Sequence, residues 1–342
     1  MKRNIIYADC CEEEVKTLAE GFSSVSNIKV DILSSINVWG NRTFLNTIWR
    51  YLKFFISPFK LFLFRKRYNL IVAWQQFYAI TFSFYCKLFH VKKINTVVVL
   101  NFTYKKKKGL IGLLFDKFMR YSICSPYLDY FHVPSYVYAD ICVSEYGIPK
   151  DKMLVTNFGI PDIYEKWKDS KAPFKDYVLS VGRSNRDFDF LVKLWSTSSF
   201  QNETLIILSD TYAPSVSFPQ NVIHIKNVTG RDSYPYFNCC KMLINPIDKG
   251  EICSGDTVLL TGMMFKKTVV VTSPSTLAEM YIIDGVDGIC IPKNIDMAEQ
   301  KLKKVLSLSS ELERLGIAGR EKYINNFSRY AMGKKLSEQM SL

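Results

Sequence analysis

Between residues 32 and 115 the chain has no Asp or Glu, although the whole sequence of 342 residues carries 32 of them against 45 Lys and Arg. The same span holds Arg42, Arg50, Lys53, Lys60, Arg65, Lys66, Arg67, Lys87, Lys92, Lys93 and the run Lys105 to Lys108. These account for essentially all of the formal net charge of +13, so the remainder is close to neutral. The missing acids leave this span without neutralising partners of its own, and such an asymmetry points to a polyanion, either nucleic acid or an anionic membrane. No stretch of eighteen or more uninterrupted apolar residues occurs, which excludes a helix that spans a bilayer. The start, MKRNIIYADCCEEE, has only a brief apolar run before charges return, so it does not read as a signal peptide. Nine cysteines show no CxxC spacing, and Cys10-Cys11 and Cys239-Cys240 are adjacent pairs. That usage fits reduced structural thiols and a cytoplasmic setting. There is no repeat at a period of 20–50 residues and no low-complexity tract.

Within the acid-free span, WRYLKFFISPFKLFLF (49–64) interleaves bulky apolar residues with cations. Ser57-Pro58 has the form of an N-cap followed by a first-turn proline, and predicts two short helices rather than one. Aromatic bulk with basic edges fits an interfacial segment lying on acidic lipid, with Trp49, Arg50, Lys53, Phe54, Lys60, Arg65, Lys66 and Arg67 as its membrane-binding residues. Packing of the same aromatics under a sheet is the alternative. Nucleic acid is the least favoured partner, because no glycine-flanked aromatic strand pattern accompanies the charge.

Continuous apolar runs such as LIVAW (70–74) and TVVVL (96–100), alternating with helical stretches, indicate parallel strands covered on both faces. A second series of the same kind follows the polar linker KWKDSKAPFKD (166–176). A chain of this length exceeds one core, so the expectation is α/β with two doubly wound domains, residues 1–165 and 166–325, and a C-terminal helix (326–342) that crosses back to the first.

The second series carries the chemistry. Ser254-Gly255-Asp256-Thr257 opens a helix, where free amides and the positive end of the dipole suit a diphosphate; ordinary N-capping is the plainer account of the same four residues. Gly182-Arg183 ends a strand, and Arg186 adds a second cation. Two arginines and helix amides can neutralise a departing nucleoside diphosphate without a metal. A surface pairing of these arginines with Asp187 or Asp189 is the alternative.

Taken in order, VLSVGRSNRDFDFL, DTVLLTGMMFKKTVVVT and EMYIIDGVDGICIP, preceded by PSYVYADICVSEYGIPKDKMLVTNFGIPD, resemble the signatures of the retaining GT-B glycosyltransferases of the family 4 type (group 1), which act in bacterial surface-polysaccharide assembly. The resemblance implies a GT-B fold, two Rossmann-like domains facing across a cleft. It implies a nucleotide-sugar donor, UDP-sugar by the family's commonest usage, and no metal cofactor. It places Arg183 and Arg186 as the catalytic phosphate clamp, with Arg186 where lysine is usual. Gly182, Ser254, Gly255, Asp256, Thr257 and Thr261 fall to donor binding. The two glutamates of the family's donor site are replaced here by Cys253 and Thr261, while Asp248 and Asp256 stand in a different register. An inverting reaction would need a base in the first domain, where Asp9, Glu12 to Glu14, Asp116, Asp129, His90 and His132 are the candidates. A retaining reaction, in which the leaving phosphate takes the acceptor proton, needs none. The expected enzyme is therefore a hexosyltransferase, peripheral on the inner face of the plasma membrane, that acts with retention on a lipid-linked saccharide in capsule, exopolysaccharide or O-antigen synthesis. A non-catalytic GT-B subunit that stabilises a partner, and an epimerase on the same architecture, are the alternatives.

Overall fold

The computed structural model describes the chain except for residues 1, 27, 38–42, 105, 253 and 341–342, and the side chain of residue 26. Two compact units are formed, residues 1–161 with 328–342, and residues 162–327.

In the first unit β1 (Arg3–Ala8), α1 (Glu12–Ser26), β2 (Val30–Ser34), α2 (Phe44–Leu63), β3 (Tyr68–Ala73) and α3 (Gln76–Leu88) are followed by β4 (Thr96–Val99), α4 (Gly109–Ile123), β5 (Tyr130–Val133), α5 (Tyr136–Tyr146) and β6 (Met153–Val155). All six strands pair in parallel in the order β2-β1-β3-β4-β5-β6. Chain direction across the sheet reverses between β1 and β3, and ligands of open α/β sheets bind beyond the carboxyl ends at such a point. The second unit runs α6 (Tyr164–Trp167), β7 (Tyr177–Val181), α7 (Phe188–Trp195), β8 (Thr204–Leu208), β9 (Val222–Ile225), α8 (Tyr234–Cys239), β10 (Met242–Asn245) and α9 (Asp256–Met264). It continues through β11 (Thr268–Ser273), α10 (Thr276–Tyr281), β12 (Ile289–Pro292), α11 (Ile295–Leu306) and α12 (Ser309–Asn326). Its sheet is also wholly parallel, in the order β12-β11-β10-β7-β8-β9, with the reversal between β7 and β10. The doubly wound α/β class read from the apolar runs is what the chain adopts, because strands such as TVVVTS of β11 are buried along nearly their whole length and need helices on both faces.

After α12 the chain returns to the first unit as α13 (Arg329–Gln339), where Met332, Leu336 and Met340 join Val15, Leu18 and Phe22 of α1 in one buried cluster. One sequence expectation is corrected here: α2 is a single helix of 20 residues with Pro58 inside it, not two short ones. A proline at that position costs about 3 kcal/mol in an isolated helix. Here Phe54, Leu61 and Phe62 on either side of it are buried, and the Ser57 hydroxyl, instead of capping, sits 2.8 Å from that of Ser35. Burial of the flanking turns holds the helix through the proline. Among the described residues no helix is long and apolar enough to cross a membrane.

Candidate functional site

At the reversal point of the second sheet the loops after β7 and β10 are tied together backbone to backbone. Asp187 N–H donates to Pro246 O (2.9 Å), and Asn185 clamps the second loop with its amide, donating to Lys249 O (3.1 Å) and Ile252 O (3.2 Å) and accepting from Lys249 N–H (2.8 Å). Asn185 holds a positive φ of 54°, a conformation asparagine tolerates better than most residues. The loops so fixed wall a cavity of about 670 Å³. Gly182, Arg183 and Arg186 line one side, Ser254 to Val258 another, and Ser209, Asp210, Thr229, Gly230 and Ser233 are part of the remainder. Five of the six donor-binding candidates, Gly182, Ser254, Gly255, Asp256 and Thr257, thus share one wall system with both arginines.

Ordinary side-chain N-capping, the plainer account of Ser254 to Thr257, is not what the structure holds. Gly255 is the N-cap of α9, at φ 101°, and no side chain caps the helix, so its first-turn amides are left for a ligand or water. Thr257 N–H is the exception, meeting the Asp256 carboxylate at 2.9 Å. A positive φ of this size suits glycine alone, and there is a second reason for glycine. A Cβ on Gly255 would overlap Nη2 of Arg186, and one on Gly182 would come within 2.7 Å of its Nε. Both glycines make room for the same guanidinium.

Arg186 is half-buried and spends most of its donors on the loops. Nε donates to Val181 O (3.4 Å), and Nη1 reaches Ser184 O (3.2 Å), Asn185 O (3.2 Å) and Ser254 O (3.4 Å). Nη2 has no hydrogen-bond partner among the described residues. Burial pushes the Arg186 pKa down to about 10, with Asp256 opposing the shift, so the group stays charged at neutral pH. It joins the glycine loop to the start of α9 and keeps one edge for the cavity. Arg183 is the more open of the two and forms an ion pair with Asp210 at 3.2 Å. Neither arginine meets Asp187 or Asp189. Asp187 caps α7 and pairs with Lys293 (3.2 Å), while Asp189 accepts from Tyr212 (2.5 Å) and from Ser215.

The sixth candidate is elsewhere. Thr261 is buried, its hydroxyl donates to Thr257 O within the helix (2.7 Å), and it is not on the cavity wall, because one further turn of α9 carries it away. Cys253 lies outside the described residues. Ser209, Asp210, Thr229, Gly230 and Ser233 were not singled out in the sequence; the signal for Ser209 and Asp210 was their position directly after the buried strand TLIIL.

In the first unit the candidate bases are mostly committed to structure. His132 is wholly buried, accepts at Nδ1 from Asn101 N–H (3.2 Å), and its Nε2 lies 3.0 Å from Thr156 Oγ1. Burial lowers its pKa to about 4. Asp129 accepts from Val97 N–H (2.9 Å) and pairs with Lys93; Asp116 is held by Arg120 (2.9 Å) and Tyr104. Asp9, just beyond β1, accepts from Gln75 (3.2 Å) beside the sheet reversal.

Of the proposed membrane set, Trp49, Lys60, Lys66 and Arg67 are exposed and Arg50, Lys53 and Arg65 half-buried. Phe54 is a correction: it is 6% exposed and packs against Phe77 with ring centroids 5.0 Å apart, so it belongs to the core of this unit. Arg65 and Arg67 lie over the rings of Phe62 and Phe64, each at 4.6 Å, which joins charge and aromatic surface at the end of α2.

No family model matches the sequence, and no curated protein matches it. Solved structures do. A glycosyltransferase from Rickettsia africae superposes with a TM-score of 0.61 at 12% identity, over 98% of this chain and 97% of that one. HepE from Anabaena, in complex with UDP and glucose, gives 0.59 at 11% identity over 99% of each. The UDP-GlcNAc 2-epimerase from Methanocaldococcus jannaschii gives 0.55 at 12%, over 100% of this chain and 99% of that one. At such identities the likeness is one of fold, and the fold is GT-B.

Proposed function

We propose that the protein is a glycosyltransferase that moves a hexose from a nucleotide sugar, a UDP-sugar in the first instance, to a lipid-linked saccharide at an anionic membrane surface. The observation that carries the donor half is the cavity at the β7/β10 reversal, where Arg183, the free edge of Arg186 and the uncapped start of α9 converge. A volume of about 670 Å³ falls in the ordinary range for a ligand of nucleoside-diphosphate size. Charge developing on the leaving diphosphate is met by the two guanidiniums and the α9 amides, with no metal ion required. Asp256, on the same wall, suits the sugar hydroxyls rather than the phosphates. Retention follows if the departing phosphate accepts the acceptor proton, and the structural engagement of His132, Asp116 and Asp129 supports that route. The acceptor half rests on the basic, aromatic surface of α2, which also supports a peripheral membrane location and a role in capsule, exopolysaccharide or O-antigen synthesis.

The lack of the family's two donor-site glutamates, with Thr261 off the cavity wall in place of one of them, favours one second reading, a non-catalytic subunit. Incubation with UDP-glucose separates the readings. Slow release of glucose, its anomer retained, supports the transferase; binding without release supports the subunit; free UDP with an epimerised sugar supports the epimerase chemistry to which the fold also lends itself.

A further inference from the structure

The first unit holds a second, larger cavity that the donor reading does not use. Its volume is about 950 Å³, and it is walled by α2, the start of α3, and α4. Along α4 the lining residues are Ile111, Leu114, Phe115 and Phe118, the i, i+3, i+4, i+7 stripe of one helical face. Phe54, Phe55 and Phe77 complete an aromatic wall. The polar part lies at the carboxyl edge of the sheet, where Gln76 and Thr103 bond each other (3.0 and 3.2 Å) and Gln75 adjoins Asp9. Arg50 and Lys107 are the charged residues of the lining, and no carboxylate is among the described ones.

Next to the cavity, α4 presents apolar side chains to the outside. Leu110 and Ile111 are each 81% exposed, Leu113 62% and Leu114 68%, and Lys106 to Lys108 precede them. Leu45, Trp49, Leu52 and Phe55 of α2 are exposed as well. Two helices with outward apolar faces, basic flanks and an apolar chamber between them have a chemistry that water does not satisfy.

We infer that this chamber takes the hydrocarbon chain of a lipid phosphate from the bilayer, with the phosphate held by Arg50 and Lys107 toward the sheet edge. The inference rests on the transferase reading and adds to it where the lipid part of the acceptor binds. A chain of methyl-branched or methylene groups gains by burial against the phenylalanine wall, and the two cations of the lining select an anionic head over a neutral or cationic one. Ile111 and Leu114, each exposed and on the chamber wall at once, form the point of entry.

The test uses the full chain without vesicles and farnesyl phosphate as the probe, titrated calorimetrically, with UDP titrated in parallel. Saturable binding at one site is expected. Leu114→Glu and Lys107→Glu, both at exposed positions, should each weaken it about tenfold or more while the UDP isotherm stays unchanged. Farnesol should bind about tenfold more weakly than farnesyl phosphate. Should Leu114→Glu lose UDP binding too, Ile111→Glu replaces it. No saturable binding overturns the inference, as does equal displacement by inorganic phosphate, or binding that Leu114→Glu leaves intact. Vesicle binding without farnesyl phosphate binding would make the face a bilayer contact only and overturn it equally. Any of these failures with a normal UDP isotherm leaves the transferase reading standing.

Discussion

The two units are built alike and lined differently. Each has six parallel strands, a reversal of strand order, and a cavity near the carboxyl edge. In the second unit that cavity is walled by glycines, hydroxyls, two arginines and the open end of a helix; in the first it is walled by phenylalanines with two cations at its polar side. The architecture supplies the place, and the side chains on the loops and first helical turns decide what the place can hold. Helix starts show the difference sharply. At the reversal of the second sheet the N-cap of α9 is a left-handed glycine with no side-chain cap, whereas at that of the first sheet α3 begins with Gln75 accepting from Phe77 N–H at 3.4 Å. A capped start is closed to anions and an uncapped one is open.

The sharpest way to break this contrast is to close the open helix. Gly255→Val puts a β-branched side chain at φ 101° and into the space of Arg186 Nη2, so UDP binding should fall by more than about a hundredfold, read calorimetrically, while farnesyl phosphate binding is kept. A similar fall in both isotherms would mean global unfolding and remove the argument.

Next in size is a pH effect confined to the first unit. The folded pKa of His132 is depressed from 6.5 to about 4, so its neutral form stabilises that unit above pH 6.5. As pH falls from there toward 4 the unfolded chain takes up the proton first, and roughly 3 kcal/mol of stability is lost. Denaturant unfolding at pH 7 and 4.5 should show the loss in the wild type and a flatter dependence in His132→Asn; parallel curves would contradict it.

Smaller again is Arg183→Ala. Its side chain is exposed and its ion pair with Asp210 is open to solvent, so stability should hardly change, while UDP affinity should drop roughly tenfold through loss of one charge-assisted contact. An unchanged Kd would take Arg183 out of the site. Smallest is Asp9→Asn, which under retention should alter transfer less than about fivefold and leave the product anomer the same. Abolished transfer would instead mark Asp9 as a base.

Much of this contrast could be read in the residues, and the unread part has a common cause. Buried apolar runs such as LIVAW in the first unit and TVVVT (268–272) in the second reveal both sheets, because a parallel strand covered on two faces leaves no polar alternation to confuse it. Arg183 and the Ser254 to Thr257 turn are legible because strand ends and helix starts are local features. What was not legible depends on partners far along the chain. Pro58 reads as a helix start until Phe54 and Leu61 are seen to be buried around it. Gly182 and Gly255 read as donor-binding residues, and that both also make room for Arg186 shows only in the fold. The outward apolar surface of Leu110 to Leu114 shows only in the fold, because it depends on which face of α4 the rest of the unit covers.

The central claim is that the β7/β10 cavity binds a nucleoside diphosphate, and a thermal-shift panel of UDP, GDP, CMP and dTDP with their sugars tests it most directly. Stabilisation by at least one nucleoside diphosphate is expected, saturating with concentration, reduced in Arg183→Ala and absent in Gly255→Val. No shift with any of them in the wild type, or an equal shift in all three proteins, would contradict the account.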